Sequence, residues 1–230
     1  MRLSLSVLKI LKRDVFITTL SIVTSIILAR KLGPLILGIY SILMLIQSYI
    51  ETFGRTKTEV ASIYYIGREK FSPAVILKNL TFINIFSSLI IVLLCFLNFN
   101  NIYEIFFSKT EINYRLELSL LLITIPFQFF YLAILNINIA FENIYIFNSM
   151  KSIYSFLFFV LNLFNLYLLD LGLRSVLISN LISLISALLF GYLGIPKKIR
   201  NSGYFNGKIS FEIFKYGMQF YLSSLLSELL

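Results

Sequence analysis

The side chains able to do chemistry in this chain are polar groups stranded inside long apolar runs. Gln47 and Glu51 stand four apart in "LGIYSILMLIQSYIETF", so a helix would put both on one face. Asn162 and Asn165 stand three apart in "LNLFN". Gln128 follows Pro126 by two residues in "TIPFQ", where a kink suits a moving helix, and Glu228 interrupts the apolar "SLLSELL". Out of water each such group costs on the order of several kcal/mol unless it faces a cavity or a partner. Two kinds of chemistry fit: hydrogen bonding to a polar passenger, and a carboxylate that carries a charge in and out. Each group also has a plainer role. An interhelical hydrogen bond is the favoured reading of the asparagine pair. A helix-end charge is as good a reading of Glu51 as a lumen-facing one. Glu228 is the strongest single candidate by depth, provided the chain continues there as a helix. Ser175, Ser179, Ser183 and Ala187 repeat every four residues and read as a seam for close helix packing.

Other chemistries lack their residues. There is no histidine, which excludes His-based catalysis and His-ligated metal. Cys95 is the single cysteine and sits in "LLCFL", as a small apolar packing residue does. Gly33 and Gly38 have the spacing of a phosphate loop, but Ile39-Tyr40 follows where Lys-Ser or Lys-Thr is required. The chain reads as a non-enzyme with no cofactor and no metal.

The elements that hold these groups must be membrane helices. Of 230 residues 58% are hydrophobic and 13% charged, with mean hydropathy +0.88. So few polar groups could not cover a water-soluble globule of this size. Spanning about 30 Å of hydrocarbon takes roughly 20 apolar residues as a helix. Six runs qualify: 15–29, 35–53, 80–97 (or from 74), 116–137, 153–169 and 173–195. A seventh, from 214, is still apolar at residue 230. The fold class expected is therefore all-α integral membrane. Residues 1–195 form a six-helix lobe, 196–213 a cytoplasmic linker ("PKKIRNSGYFNGKISFE" within it), and 214–230 a truncated first helix of a second lobe.

The net charge of +9 is mainly a topological signal. The N-terminus and the connections after the second, fourth and sixth runs carry fifteen of the 20 cations, the opposite connections five. The positive-inside rule then puts the N-terminus in the cytoplasm of a multi-pass protein of the cell's inner membrane. Cations facing anionic lipid account for the charge better than nucleic acid, because the aromatics lie inside the apolar runs. Lys9, Lys12 and Arg13 are expected to snorkel to the headgroups. Within residues 53–72, Glu59 to Tyr65 read as a helical extension or an interfacial helix; the plainer reading of the stretch is a solvated cytoplasmic loop, the sharper one a cationic mouth for an anionic headgroup.

"ILARKLGPLILGIYSILMLIQSYIETFGRTKTEVASIYYIG" resembles the opening of Wzx-type polysaccharide repeat-unit flippases, of the MOP superfamily that also holds the MATE exporters and the lipid II flippases. The match rests on Ala29, Arg30, Leu32, Gly33, Pro34, Gly38, Tyr40, Phe53 and Gly54. "FKYGMQFYLSSLLSELL" is similar to the start of that family's second lobe. Members usually have twelve or more spans, so a second lobe is expected beyond this chain. Arg55 stands where members more often carry an apolar residue.

The resemblance implies alternating access that carries a polyprenyl-diphosphate-linked oligosaccharide between leaflets, with membrane lipids as the other partner. It implies that Arg30, Arg55 and Arg68 pair with phosphate oxygens, and that Gln47, Glu51, Gln128 and Asn162 line the path. Glu51 or Glu228 would couple to an ion gradient, in keeping with the missing nucleotide motif. A MATE-like small-molecule exporter and a truncated non-functional remnant are the alternative readings.

Overall fold

The computed structural model describes residues 2–108, 110, 112–169 and 171–229, and the side chains among them from 11 to 223. All regular structure among these residues is helical: α1 (Arg2–Gly54), α2 (Thr58–Gly67), α3 (Pro73–Leu97), α4 (Phe99–Phe107), α5 (Arg115–Ala140), α6 (Ile144–Tyr167), α7 (Gly172–Leu193), α8 (Lys197–Ser202) and α9 (Gly207–Leu229). Five stretches are long and apolar enough to cross a membrane: Leu11–Gly54 in α1, and all of α3, α5, α6 and α7. The chain is thus an α-helical protein of multi-pass membrane type. α9 does not meet that standard over its described residues.

The first two apolar runs are one helix in name only. Gly33 breaks α1 with φ 73° and ψ 169°, a conformation only glycine adopts without strain, and Pro34 cannot donate back across the break. Ile17, Thr24, Leu28 and Tyr40 nevertheless line one cavity. Along a straight helix Ile17 and Tyr40 would lie about 35 Å apart. The chain therefore doubles back at Gly33 into two arms, residues 2–32 and 34–54.

Contacts fix the direction of the rest. Arg13 meets Asn148 and Phe147 while Lys31 lies 4.1 Å from the Tyr167 ring, so the first arm runs parallel to α6. Ile39, Leu43 and Ile46 share a core with Tyr114, Leu118 and Leu121, so the second arm runs with α5. Met150 faces Gly191 and Ile146 faces Gly194, so α7 returns antiparallel to α6. Ser175, Ser179, Ser183, Ala187 and Gly191 are all buried on α7, and α6 packs along it. The small-residue seam expected from sequence is there, one step longer. A Cβ at Gly191 would run into the Met150 thioether, so this glycine sets how closely the two backbones approach.

Two boundaries move. α6 begins at Ile144, nine residues before the apolar run that marks it, because its first turns are polar on one side. The 196–213 segment is largely helical, comprising α8 and the start of α9. Asn79, buried in α3, pins it: its amide donates to Tyr204 O at 3.1 Å, and its oxygen accepts from Asn206 N at 3.0 Å and Ser210 Oγ at 2.6 Å.

The largest departure concerns residues 55–67. Gly54 lies against Ile91, about 27 Å along α3 from Pro73, so the second arm ends inside the bundle. Lys57 then adopts φ 51°, and α2 continues toward the same end, packed on α5, α9 and α3. Thr58, Glu59, Ala61, Ser62 and Tyr65 are buried. Of the readings offered for this stretch, the helical one over Glu59–Tyr65 matches α2 and the solvated loop does not, since the helix lies in the interior. Its apolar and small residues recur at helical spacing (Ala61, Ser62, Tyr65), a signal that the flanking charges mask.

Candidate functional site

The cavity between the arms of α1 and α6 is where polar groups converge. It has a volume of about 340 Å³ and is lined by hydroxyls from three segments: Ser21, Thr24 and Ser25 on the first arm, Tyr40 on the second, and Tyr154 and Ser155 on α6. Leu28 and Phe158 supply apolar wall. Helical spacing explains the first group, since 21, 24 and 25 fall on one face. Thr24 and Ser25 donate to the backbone one turn earlier, at 2.7 and 2.9 Å, which leaves their lone pairs toward the cavity. The Tyr154 hydroxyl donates to Asn180 Oδ1 of α7 at 2.7 Å, which fixes the ring across the chamber.

Further polar groups are buried on the same helices outside the cavity lining. Asn162 is buried one turn past Phe158; its amide donates to Phe158 O at 2.7 Å, and its Oδ1 has no partner among the described residues. Toward the other end, Gln47 donates to Glu51 at 2.9 Å, as their spacing requires. Gln47 Oε1 is likewise buried without a partner, and Glu51 lies within electrostatic reach of Tyr154. Two buried acceptors without partners among the described residues are unusual in a packed bundle.

A cationic cluster stands at one mouth of the chamber. Arg13 lies one turn before Ile17 and Lys151 one turn before Ser155, on the same faces as those lining residues. Arg13 has a side chain only 9% exposed; it pairs with Asp14 at 2.6 Å and donates to Asn148 Oδ1. Arg13 and Lys151 flank the Phe147 ring, at 5.2 and 4.7 Å from its centroid. Two cations face one carboxylate, so the mouth is net positive and suits an anion. Arg13 folds onto the first turns of α6, against the Asn148 amide and the Phe147 ring.

The arginines named from sequence do not meet. Arg30 is exposed at the Gly33 end, where Lys31 rather than Arg30 finds an aromatic ring. Arg55 lies a whole arm away, about 30 Å along the helix. It is engaged by the buried Glu59 at 2.8 Å. Arg68 is exposed and stacks over Tyr64 at 4.6 Å. Arg30 and Arg55 are too far apart to hold one phosphate together. Gln128 is half-buried on α5 with no side-chain hydrogen bond among the described residues. The Glu228 side chain lies outside the described residues. Asn165 makes the interhelical bond expected of it, to Ser179 Oγ at 2.9 Å. Beside Arg68, Lys70 pairs with Glu212 at 2.6 Å, and this hydrogen bond raises the lysine's pKa.

Sequence reasoning missed Arg13, Lys151, Tyr40, Tyr154 and Asn180. The hydroxyl face of the first arm was readable in "TTLSIVTS"; its meeting with α6 was not. Comparison of the chain with protein-family models, curated proteins and solved structures finds no match.

Proposed function

We propose that this chain is the N-terminal lobe of a flippase that moves lipid-linked oligosaccharide repeat units across the cytoplasmic membrane by alternating access. The observation that carries the proposal is the hydroxyl-lined chamber within an apolar bundle, with Arg13 and Lys151 at one mouth. Sugar hydroxyls and a diphosphate cannot enter hydrocarbon unaided, because each lost hydrogen bond costs on the order of kcal/mol and a bare charge far more. The chamber offers replacement bonds to the sugar and the mouth a counter-charge to the diphosphate, while the polyprenyl chain stays in lipid.

On this reading the first arm of α1 crosses the bilayer, the second arm crosses it together with α2, and with α3, α5, α6 and α7 they make a six-crossing MOP-like lobe. Lys12, Arg13, Arg68, Lys70, Lys78, Lys151, Lys197, Lys198, Arg200 and Lys208 then face the cytoplasm, and Arg30, Lys31, Arg115 and Arg174 face outward. Alternating access further requires a second lobe across the chamber. The positive mouth argues against export of small cations, which it would repel.

The test is transport in inverted membrane vesicles from cells expressing the gene, loaded with a fluorescent polyprenyl-diphosphate oligosaccharide and read by loss of quenching from the accessible leaflet. The Arg13→Gln/Lys151→Gln variant is expected to slow translocation at least about tenfold, as loss of one engaged charge pair does. Unchanged translocation by a variant expressed at the parent level would refute the proposal.

A further inference from the structure

A second cavity lies on the outside of the bundle, away from the chamber. α3 and α9 present apolar stripes to each other that do not close. Phe82, Phe86 and Ile90 come from α3, Phe205 from the preceding segment, and Phe211 and Phe214 from α9. Between them is a groove of about 510 Å³ with almost no polar surface except Ser87 and Ser210. The opposite face of α9 is already committed: Ile209, Ile213 and Tyr216 pack with Ala61, Tyr65 and Ile76. The groove is therefore not a helix seat left open by misplacement. Its floor at one end is held by the Asn79 hydrogen bonds to Tyr204, Asn206 and Ser210. Phe205 rests against Phe82 there, with ring centroids 4.4 Å apart.

That same end carries charge. Lys78 lies one turn before Phe82 and Lys208 one residue after Gly207, which lines the groove. Both lysines are exposed, and neither forms an ion pair among the described residues. The groove then runs from these two ammonium groups about 13 Å along α3 into the apolar zone. Oil-lined length below a positive rim is the complement of one chain of an anionic phospholipid, with the phosphate at the rim and the acyl chain along the phenylalanines.

We infer that the α3–α9 groove is a binding site for an anionic phospholipid of the surrounding bilayer, held by Lys78 and Lys208 at its headgroup. The inference does not need the transport reading, since it uses only the membrane character of the chain and this groove. It would give the junction between the six-helix body and α9 a lipid wedge, so that α9 sits differently in bilayers of different charge.

The chain has no tryptophan, which makes a clean test possible. Phe86→Trp puts a single tryptophan, excited selectively over the tyrosines, in the groove at a position already exposed, and Ile182→Trp puts one on the exposed face of α7 as a control. Each full-length variant is reconstituted in mixtures of unlabelled phosphatidylcholine with brominated phosphatidylglycerol or brominated phosphatidylcholine, and quenching gives relative binding constants. The Phe86→Trp protein is expected to favour phosphatidylglycerol about fivefold, the contribution of one lysine near an anionic headgroup, and the Ile182→Trp protein to show a ratio near one. Adding Lys78→Gln and Lys208→Gln to Phe86→Trp should abolish the preference while leaving quenching itself intact. Equal ratios at the two positions would mean ordinary boundary lipid and overturn the site. Displacement of brominated phosphatidylglycerol by a trace of polyprenyl phosphate would overturn its assignment to phospholipid.

Discussion

Breaking the buried ion pair of the discontinuous second arm should cost more than any surface charge in this protein. Glu59 is 2% exposed, and Arg55 reaches it at 2.8 Å from a side chain 19% exposed. At an effective dielectric near 20 the attraction at that distance is about 6 kcal/mol, most of which offsets the desolvation of the two groups. The net value of the pair is therefore small, but the cost of halving it is not. Arg55→Met leaves a buried carboxylate with no counter-charge, and the expected loss is about 3–5 kcal/mol. Arg55→Met with Glu59→Leu removes both charges and should recover most of that loss. Glu59→Gln leaves an arginine able to reach water and should fall between. Detergent-solubilised protein titrated with SDS and followed by far-UV circular dichroism measures all three against the parent. A single Arg55→Met variant within about 1 kcal/mol of the parent, with no recovery in the double variant, would refute the reasoning, because the pair would then not be buried in a low-dielectric bundle.

Two further outcomes follow from the helix contacts. Gly191→Ala forces a methyl group against the fully buried Met150 and should destabilise the same SDS transition by about 1–3 kcal/mol, with Met150→Ala relieving part of it. Tyr154→Phe strands the buried Asn180 oxygen and should cost about 1–3 kcal/mol unless water enters the chamber to replace the hydroxyl, an exchange that added band intensity in amide infrared spectra after deuteration would reveal.

Hydropathy made the long helices legible, because backbone groups in lipid have no other way to be satisfied. The α3, α5 and α7 boundaries lie within a few residues of the runs that mark them, α3 taking the longer of its two readings from near residue 74, with a Ser72-Pro73 cap in which Ser72 Oγ accepts from Val75 N. The local pairs were legible as well, since Gln47–Glu51 and the α7 seam depend on spacing within one helix. What hydropathy cannot encode is which helix face meets which. Arg13 and Lys151 are far apart in sequence and read separately as headgroup cations; they share Phe147 only because the first arm and α6 run side by side.

The same limit leaves residues 55–67 open between a loop and a helix when read from sequence, and it bears on how the chamber could move. Charges at 55, 57, 59, 68 and 70 make that segment look like a loop on any averaged scale. Arg55 and Glu59 neutralise each other across the break between the second arm and α2, so the segment can enter the bundle at little net electrostatic cost. A helix interrupted inside a bundle, rather than at its edge, keeps its two pieces free to tilt independently while α5 and α9 hold the second piece. The second arm carries Tyr40, Gln47 and Glu51 on its upper piece alone. A tilt at residues 55–57 would therefore shift the chamber's wall without disturbing α2, so the break that sequence averaging hides is the mechanical partner of the hydroxyl face that it shows.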